Sequence, residues 1–241
     1  MIEKMNGFAT FWSWLPLSWI AASAAAQTLP VLRVPYCQDF PFAEGQVSDR
    51  WQAFPEYELK MLDGDSRKPR THFRIAYSDT GIYVQFTGDE WTISTEARAD
   101  FEDLFLGDVY EVFLQPDPAT PLYLEYEVNA RGHELVLLVP NIGGRFMGWT
   151  PWKYTGDRKV RKNSWVAENP SGQAPLTWHA ELFFPYTLFR PLCQSKPAKG
   201  TVWKGNFYRI DYDTGNRVKW AWTPINVSFH EFAKYGTLIF D

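Results

Sequence analysis

Glu111 stands where a carboxylate is least expected. In Val109-Tyr110-Glu111-Val112-Phe113-Leu114, strand alternation puts Val109, Glu111 and Phe113 on one face and Tyr110, Val112 and Leu114 on the other, so both faces are largely apolar. A buried charge needs a partner or hydrogen bonds. Two readings stay open: a structural ion pair with an arginine such as Arg74 or Arg131, which spacing alone favours, or an acceptor for ligand hydroxyls on a concave sheet face. Other acids have spacing suited to hydrolysis. Glu125 and Glu127 share a strand face at about 7 Å, and Asp100, Glu102 and Asp103 gather just before Glu111. A glycoside hydrolase needs two carboxyls about 5 to 9 Å apart across the scissile bond. Acids alternate on solvated strand faces in many proteins, so this spacing does not by itself define an enzyme.

Histidine and sulfur offer a different chemistry. His72, His133, His179 and His230, with Met61 and Met147, could supply axial ligands to a b-type haem, but no motif marks a pair. Cys37 and Cys193 have no partners at metal-ligand spacing and form a candidate disulfide if the chain is exported. No G-x-S-x-G, P-loop or dinucleotide fingerprint is present. The net charge is -4, and the densest basic run, Arg158 to Lys162, reads as a solvated loop, which argues against a nucleic-acid partner.

The elements that must position these residues are β-strands. His72 to Tyr77 and Ile82 to Phe86 flank Ser78-Asp79-Thr80-Gly81 as a hairpin, and Leu122 to Asn129 and His133 to Val139 form a second around Ala130-Arg131-Gly132. Further strands are expected at Val109 to Leu114, Trp178 to Phe184, Trp203 to Tyr212, Lys219 to Trp222 and Thr237 to Phe240, with a short helix after Pro185. Thr87 to Gly107 and Asn141 to Pro175 read as long loops, and Gln27 to Glu44 as a lead-in strand packed on the body. Many short strands with turn residues between them predict two packed antiparallel sheets in one domain over residues 27–241, its core from about residue 40.

Ahead of this domain, residues 1–26 have the form of a signal peptide. Lys4 precedes an apolar run from Phe8 to Ala22, and Ala24 and Ala26 fit an A-x-A cleavage site before Gln27. The run is shorter than the roughly 20 residues needed to span a bilayer and is interrupted by Pro16. The expectation is export to the periplasm or the medium, with no membrane contact after cleavage.

Four segments in order carry a resemblance: Thr80 to Val84, Gly107 to Asp117, Tyr123 to Gly132 and Phe229 to Leu238. Together they resemble the family 9 carbohydrate-binding modules within the wider DOMON-like group. The resemblance implies a jelly-roll-like, all-β sandwich that grips the end of a polysaccharide or oligosaccharide between two aromatic rings and works beside glycan-degrading enzymes. Carried over by position, the rings fall on Phe105 and Phe229 and the hydroxyl-binding carboxylate on Glu111. The family's platforms are tryptophans, so Trp149 and Trp152 are further candidates, against the alternative that they pack a long loop onto the sheet. A sugar's axial C–H face packs on an aromatic ring while its hydroxyls take charge-assisted hydrogen bonds. No cofactor is required by the sequence. The resemblance admits calcium as a structural ion, for which Asp79, Asp100 and Asp103 are candidates only as surface acids.

Overall fold

Each alternating run in the sequence has one face to bury, and the chain buries those faces by stacking two sheets. The structure is a computed structural model, described here for residues 28–62, 70–169, 172, 175–190, 192–193 and 195–241. The expected signal peptide lies outside the described residues. In chain order the strands are β1 (Val31–Val34), β2 (Tyr57–Glu58), β3 (Lys60–Met61), β4 (Thr71–Tyr77), β5 (Gly81–Glu90), β6 (Val109–Gln115), β7 (Leu122–Asn129) and β8 (Glu134–Ile142). They continue as β9 (Arg145–Phe146), β10 (Thr150–Pro151), β11 (Arg161–Ala167), β12 (Leu176–Pro185), β13 (Val202–Asp211), β14 (Val218–Ala221) and β15 (Gly236–Phe240).

The larger sheet runs β1-β15-β13-β6-β7-β8-β10, with β14, β3 and β9 attached at its margins; the smaller runs β11-β12-β5-β4-β2. Among the strands described, pairing is antiparallel except between β1 and β15. This is the expected all-β sandwich, with the lead-in segment contributing β1 to the larger sheet. Aromatic stacking dominates the layer between the sheets. The Tyr110 ring lies between Trp178 at 3.7 Å and Phe86 at 4.6 Å, and Phe73 stacks on Phe207 at 4.0 Å.

At one end of this layer a guanidinium joins the sheets. Arg209 of β13 is fully buried and donates to Thr71 Oγ1 (3.0 Å), the Asp89 carbonyl (2.7 Å), Glu90 (3.2 Å) and Asp211. Its head also lies 5.5–5.9 Å from the rings of Tyr110, Trp178 and Trp220. Residue 88 must be glycine for this packing, because a Cβ there would sit 2.6 Å from Tyr110 Oη and 2.8 Å from Arg209 Nη1.

The larger sheet also buries part of its outer face. There Val109, Phe113, Tyr123, Leu135, Leu137, Tyr208 and Ile210 form a second apolar cluster, roofed by Leu104, Ile225, Phe229 and Tyr235 from loops. Every residue of β6 is therefore buried, which explains its apolar character on both faces.

Three expectations are corrected. Arg161–Ala167, read as loop, is the edge strand β11, held by its backbone ladder to β12. The helix expected after Pro185 is a 3-10 turn over Tyr186–Phe189. Cys37 and Cys193 are both free thiols, so the candidate disulfide is not formed; burial pushes each thiol up to about 11.

Candidate functional site

The second cluster is incomplete, and the gap in it is a pocket. Register puts Glu111 of β6 directly across from Glu127 of β7, and Phe113 across from Glu125. Because side chains alternate, all three carboxyls project to the outer face, among the apolar residues of the roofed cluster. They line an open cavity of ≈ 160 Å³ with Phe105, Phe113, Trp149, Phe229 and His230 around them and Arg217, Lys219 and Ser228 nearby. Sites that enclose a drug-sized ligand run to roughly 300–1,000 Å³, so this cavity is small beside them.

Each aromatic ring is held by its own local structure. Phe105 sits in a 3-10 turn (Leu104–Leu106) pinned by buried Leu104, and its carbonyl accepts from Tyr212 Oη at 3.3 Å. The turn ends at Gly107, where a Cβ would come 2.5 Å from the Ser94 carbonyl. Trp149, just before β10, is 45% exposed and meets Phe105 edge-on at 6.2 Å. Phe229 is different: it is buried, stacked flat on Tyr208 at 4.0 Å, with its carbonyl accepting from Tyr208 and Tyr235, both at 3.0 Å. One of its faces is thus occupied by protein.

The loop carrying Phe229 is organised by Glu231. Its Oε1 accepts from the amides of Asn226 (3.0 Å), Val227 and Ser228 (2.9 Å), while Oε2 pairs with Lys234 at 2.7 Å. Although burial opposes ionisation, Lys234 and these amides hold the carboxyl down to about 2. Glu231→Ala strips three donors of their acceptor. We expect it to lower stability by about 1–3 kcal/mol and to weaken ligand binding through misplacement of Phe229 and His230. Urea unfolding and calorimetry measure the two effects.

The carboxyls sit in a medium that resists their charge. Burial, then the proximity of Glu127, raises Glu111 well above the ordinary range, with Arg217 opposing. Burial, then Glu127 and Glu111, raise Glu125 in the same direction. Glu127 is raised by burial, while a hydrogen bond with Glu125 and the Phe105 amide favour its ionised form. Within that pair Glu125 therefore holds its proton as the donor to Glu127. Burial also lowers His230 to about 4, keeping the ring neutral; its Nδ1 lies 2.7 Å from Tyr123 Oη and 3.7 Å from Glu125.

Phe105, Glu111, Phe229 and Trp149 therefore come together in one pocket. Trp152 does not join them. It packs against the core between the sheets, donates from Nε1 to the Leu188 carbonyl at 3.1 Å and lies under Arg158, as expected of a ring that anchors a loop. The arginines considered as partners for Glu111 fare no better. Arg74 pairs instead with Glu56 at 2.5 Å, and the cation acting on Glu111 is Arg217. Phe146 was missed altogether: 40% exposed, it stacks on His230 at 4.1 Å and leans against Trp149 at 5.9 Å.

Other candidate ligands are differently engaged. His179 stacks on Trp165 and His133 lies beside Asp100, while neither Met61 nor Met147 lines the pocket that holds His230. Asp79 pairs with Lys196, and Asp100 with Lys162 at 3.0 Å. Among the described residues Glu90, Asp211 and Asp213 are spaced to share a metal ion. Two of them already flank the Arg209 guanidinium, so the cluster has a resident cation and reads as an ion-pair network rather than a calcium site.

This geometry can be set beside known proteins. A candidate carbohydrate-binding protein from Bacteroides uniformis is similar, with a TM-score of 0.70 at 20% identity over 89% of this chain and 100% of its own. A family 9 carbohydrate-binding module of Caldicellulosiruptor kristjanssonii, solved with glucose, superposes with a TM-score of 0.61 at 14% identity, covering 88% of this chain and 96% of its own. The module from the same organism solved with cellotriose gives 0.59 at 14% identity, over 88% and 94%. At such identities these likenesses establish the sandwich fold. No curated protein sequence matches the chain. The model of carbohydrate-binding family 9 matches residues 56–240, a span that takes in every strand from β2 to β15, and on that match the chain belongs to carbohydrate-binding family 9.

Proposed function

We propose that the pocket on the outer face of the larger sheet receives the terminal unit of a glycan. Phe105 and Trp149 supply the exposed stacking surface, the edge of Phe229 closes one side, and Glu111 takes hydrogen bonds from sugar hydroxyls. The observation that carries this reading is the convergence of accessible aromatic rings and buried carboxyls in a cavity of ≈ 160 Å³. Membership of a carbohydrate-binding family supports it.

Calorimetry against cello-, xylo-, manno- and chito-oligosaccharides tests the assignment. For whichever glycan binds, Phe105→Ala with Trp149→Ala should weaken affinity by roughly 10- to 100-fold, in line with the ~1.5–3 kcal/mol gained when an aromatic side chain is covered. An unchanged affinity would place the sugar elsewhere.

We further propose that the protein is exported and acts in glycan breakdown beside glycoside hydrolases. The Lys4, Phe8 to Ala22 and Ala24-x-Ala26 pattern supports export. The mature chain should be recovered outside the cytoplasm beginning at Gln27, and its transcript should rise with those of glycoside hydrolases on the glycan it binds. A cytoplasmic chain retaining Met1, or a flat transcript, would remove the corresponding part.

A further inference from the structure

We propose that the preferred ligand is a glycan whose terminal unit carries a protonated primary amine, an amino sugar of the glucosamine type, with the ammonium group seated among Glu111, Glu125 and Glu127. The inference rests on the carbohydrate-binding reading of this pocket and specifies its ligand class.

The geometry asks for a cation. Three carboxyls project from two adjacent strands onto one face, each at most 4% exposed. Glu125 Oε2 and Glu127 Oε2 are buried without a hydrogen-bond donor, and both side chains line the cavity. Among the described residues the cations that line the cavity stand at its rim, Arg217 exposed and Lys219 half-buried, while the neutral His230 faces Tyr123. Tyr208 and Tyr235 are turned to the Phe229 carbonyl.

Sugar hydroxyls would donate to these oxygens, but a neutral donor brings no charge to a buried carboxyl, and Arg217 and Lys219 reach the pocket only from its rim. An ammonium group brings three N–H donors and the charge together. The surrounding rings suit the same guest, since Phe105, Phe113, Trp149 and Phe229 line the cavity and aromatic faces attract cations. A small metal ion fits less well. The carboxyls that converge at metal spacing among the described residues are Glu90, Asp211 and Asp213, and this trio is not among them.

The exchange balances in protons. Burial and mutual repulsion keep Glu125 protonated in the empty pocket, so docking an ammonium ionises it and releases that proton to solvent. Binding of the amine should therefore release a proton, whereas a neutral sugar should release none.

Three β-1,4-linked trimers that differ only at C2 make the test: glucosamine, N-acetylglucosamine and glucose, titrated calorimetrically into the whole protein near pH 6 in two buffers of different ionisation enthalpy. The glucosamine trimer is expected to bind about tenfold or more tightly than cellotriose, the value of one charge-assisted hydrogen bond to a desolvated carboxylate. Its enthalpy alone should depend on the buffer. Glu125→Gln with Glu127→Gln should bring the glucosamine and glucose trimers to within about twofold of each other. Should that double variant lose its native circular dichroism, the single Glu125→Gln carries the same test. If cellotriose or the N-acetylated trimer binds as well as the amine, this inference fails and the carbohydrate-binding reading stands. If none of the three binds, this inference fails, and the carbohydrate-binding reading falls with it only if the xylo- and manno-oligosaccharides also fail to bind.

Discussion

Replacing Arg209 with methionine should lower the unfolding free energy by about 3–5 kcal/mol, the range found when one partner of a buried ion pair is removed. Methionine fills much of the same volume, so the effect isolates charge and hydrogen bonding. The side chain lost from β13 bonds to Thr71 of β4 and to Asp89 and Glu90 of β5, so it is a polar link between the two sheets. Without it Glu90 and Asp211 stay buried with no cation. Glu90 already has its pKa pushed up to about 9 by burial, against the pull of Arg209. Asp211, raised by burial, loses the cation that opposes that rise, so the variant's deficit should grow with pH as Asp211 ionises in wild type, with Glu90 adding to it only above about pH 9. Urea unfolding at pH 5 and pH 8 measures this. Adding Glu90→Gln and Asp211→Asn should restore most of the loss; an equal deficit with and without them would show that packing around the guanidinium, and not its charge, is what matters.

Glu127→Gln should act in the opposite direction and stabilise the protein increasingly as the solution becomes alkaline. Burial raises the folded-state pKa of Glu127 from 4.5 to about 8. A carboxyl whose pKa is higher folded than unfolded contributes stability that is complete below the unfolded value and is lost as pH rises through the folded one. At roughly 1.4 kcal/mol per unit, wild type should lose on the order of 3–5 kcal/mol from this group between pH 5 and pH 9. Glutamine cannot titrate, so its advantage over wild type should widen across that window. Glu231, held at about 2, has the reverse sign: its contribution is present at neutral pH and disappears in strong acid. Stability should accordingly peak on the acid side of neutrality. A wild-type profile flat from pH 5 to 9 would contradict the burial of these carboxyls. Keeping such groups in a pocket costs stability, as sites built for ligands commonly do.

Most of the sandwich could be read from alternation, because strands such as β5, β7 and β12 each bury one apolar row. β11 could not. Arg161-Lys162-Asn163-Ser164 has no apolar row to display, since an edge strand is held by backbone bonds to one neighbour, here β12, and leaves its side chains half-buried. Glu111 was identified by its apolar neighbours, and Glu125 and Glu127 by their shared face. That all three meet in one pocket depends on the β6–β7 register, which no local pattern specifies. Trp149 and Trp152 show the limit most directly. They are three residues apart and alike in sequence context, yet one borders the pocket and the other anchors a loop to the core between the sheets. Phe146 and Arg217 reach the site from a short hairpin and a turn, where nothing periodic announces them.

The parallel pairing of β1 with β15 sets the timing of folding. Val31 aligns with Thr237 and Val34 with Phe240, so the first of the described strands pairs with the last of them. On the ribosome, β4 and β5 can pair as soon as they emerge, and β6, β7 and β8 can follow in order. β1 must wait, together with the β13 edge that β15 covers, until residues 236–240 are free. Contacts this distant in sequence form slowly, so closure of this edge should come late in folding.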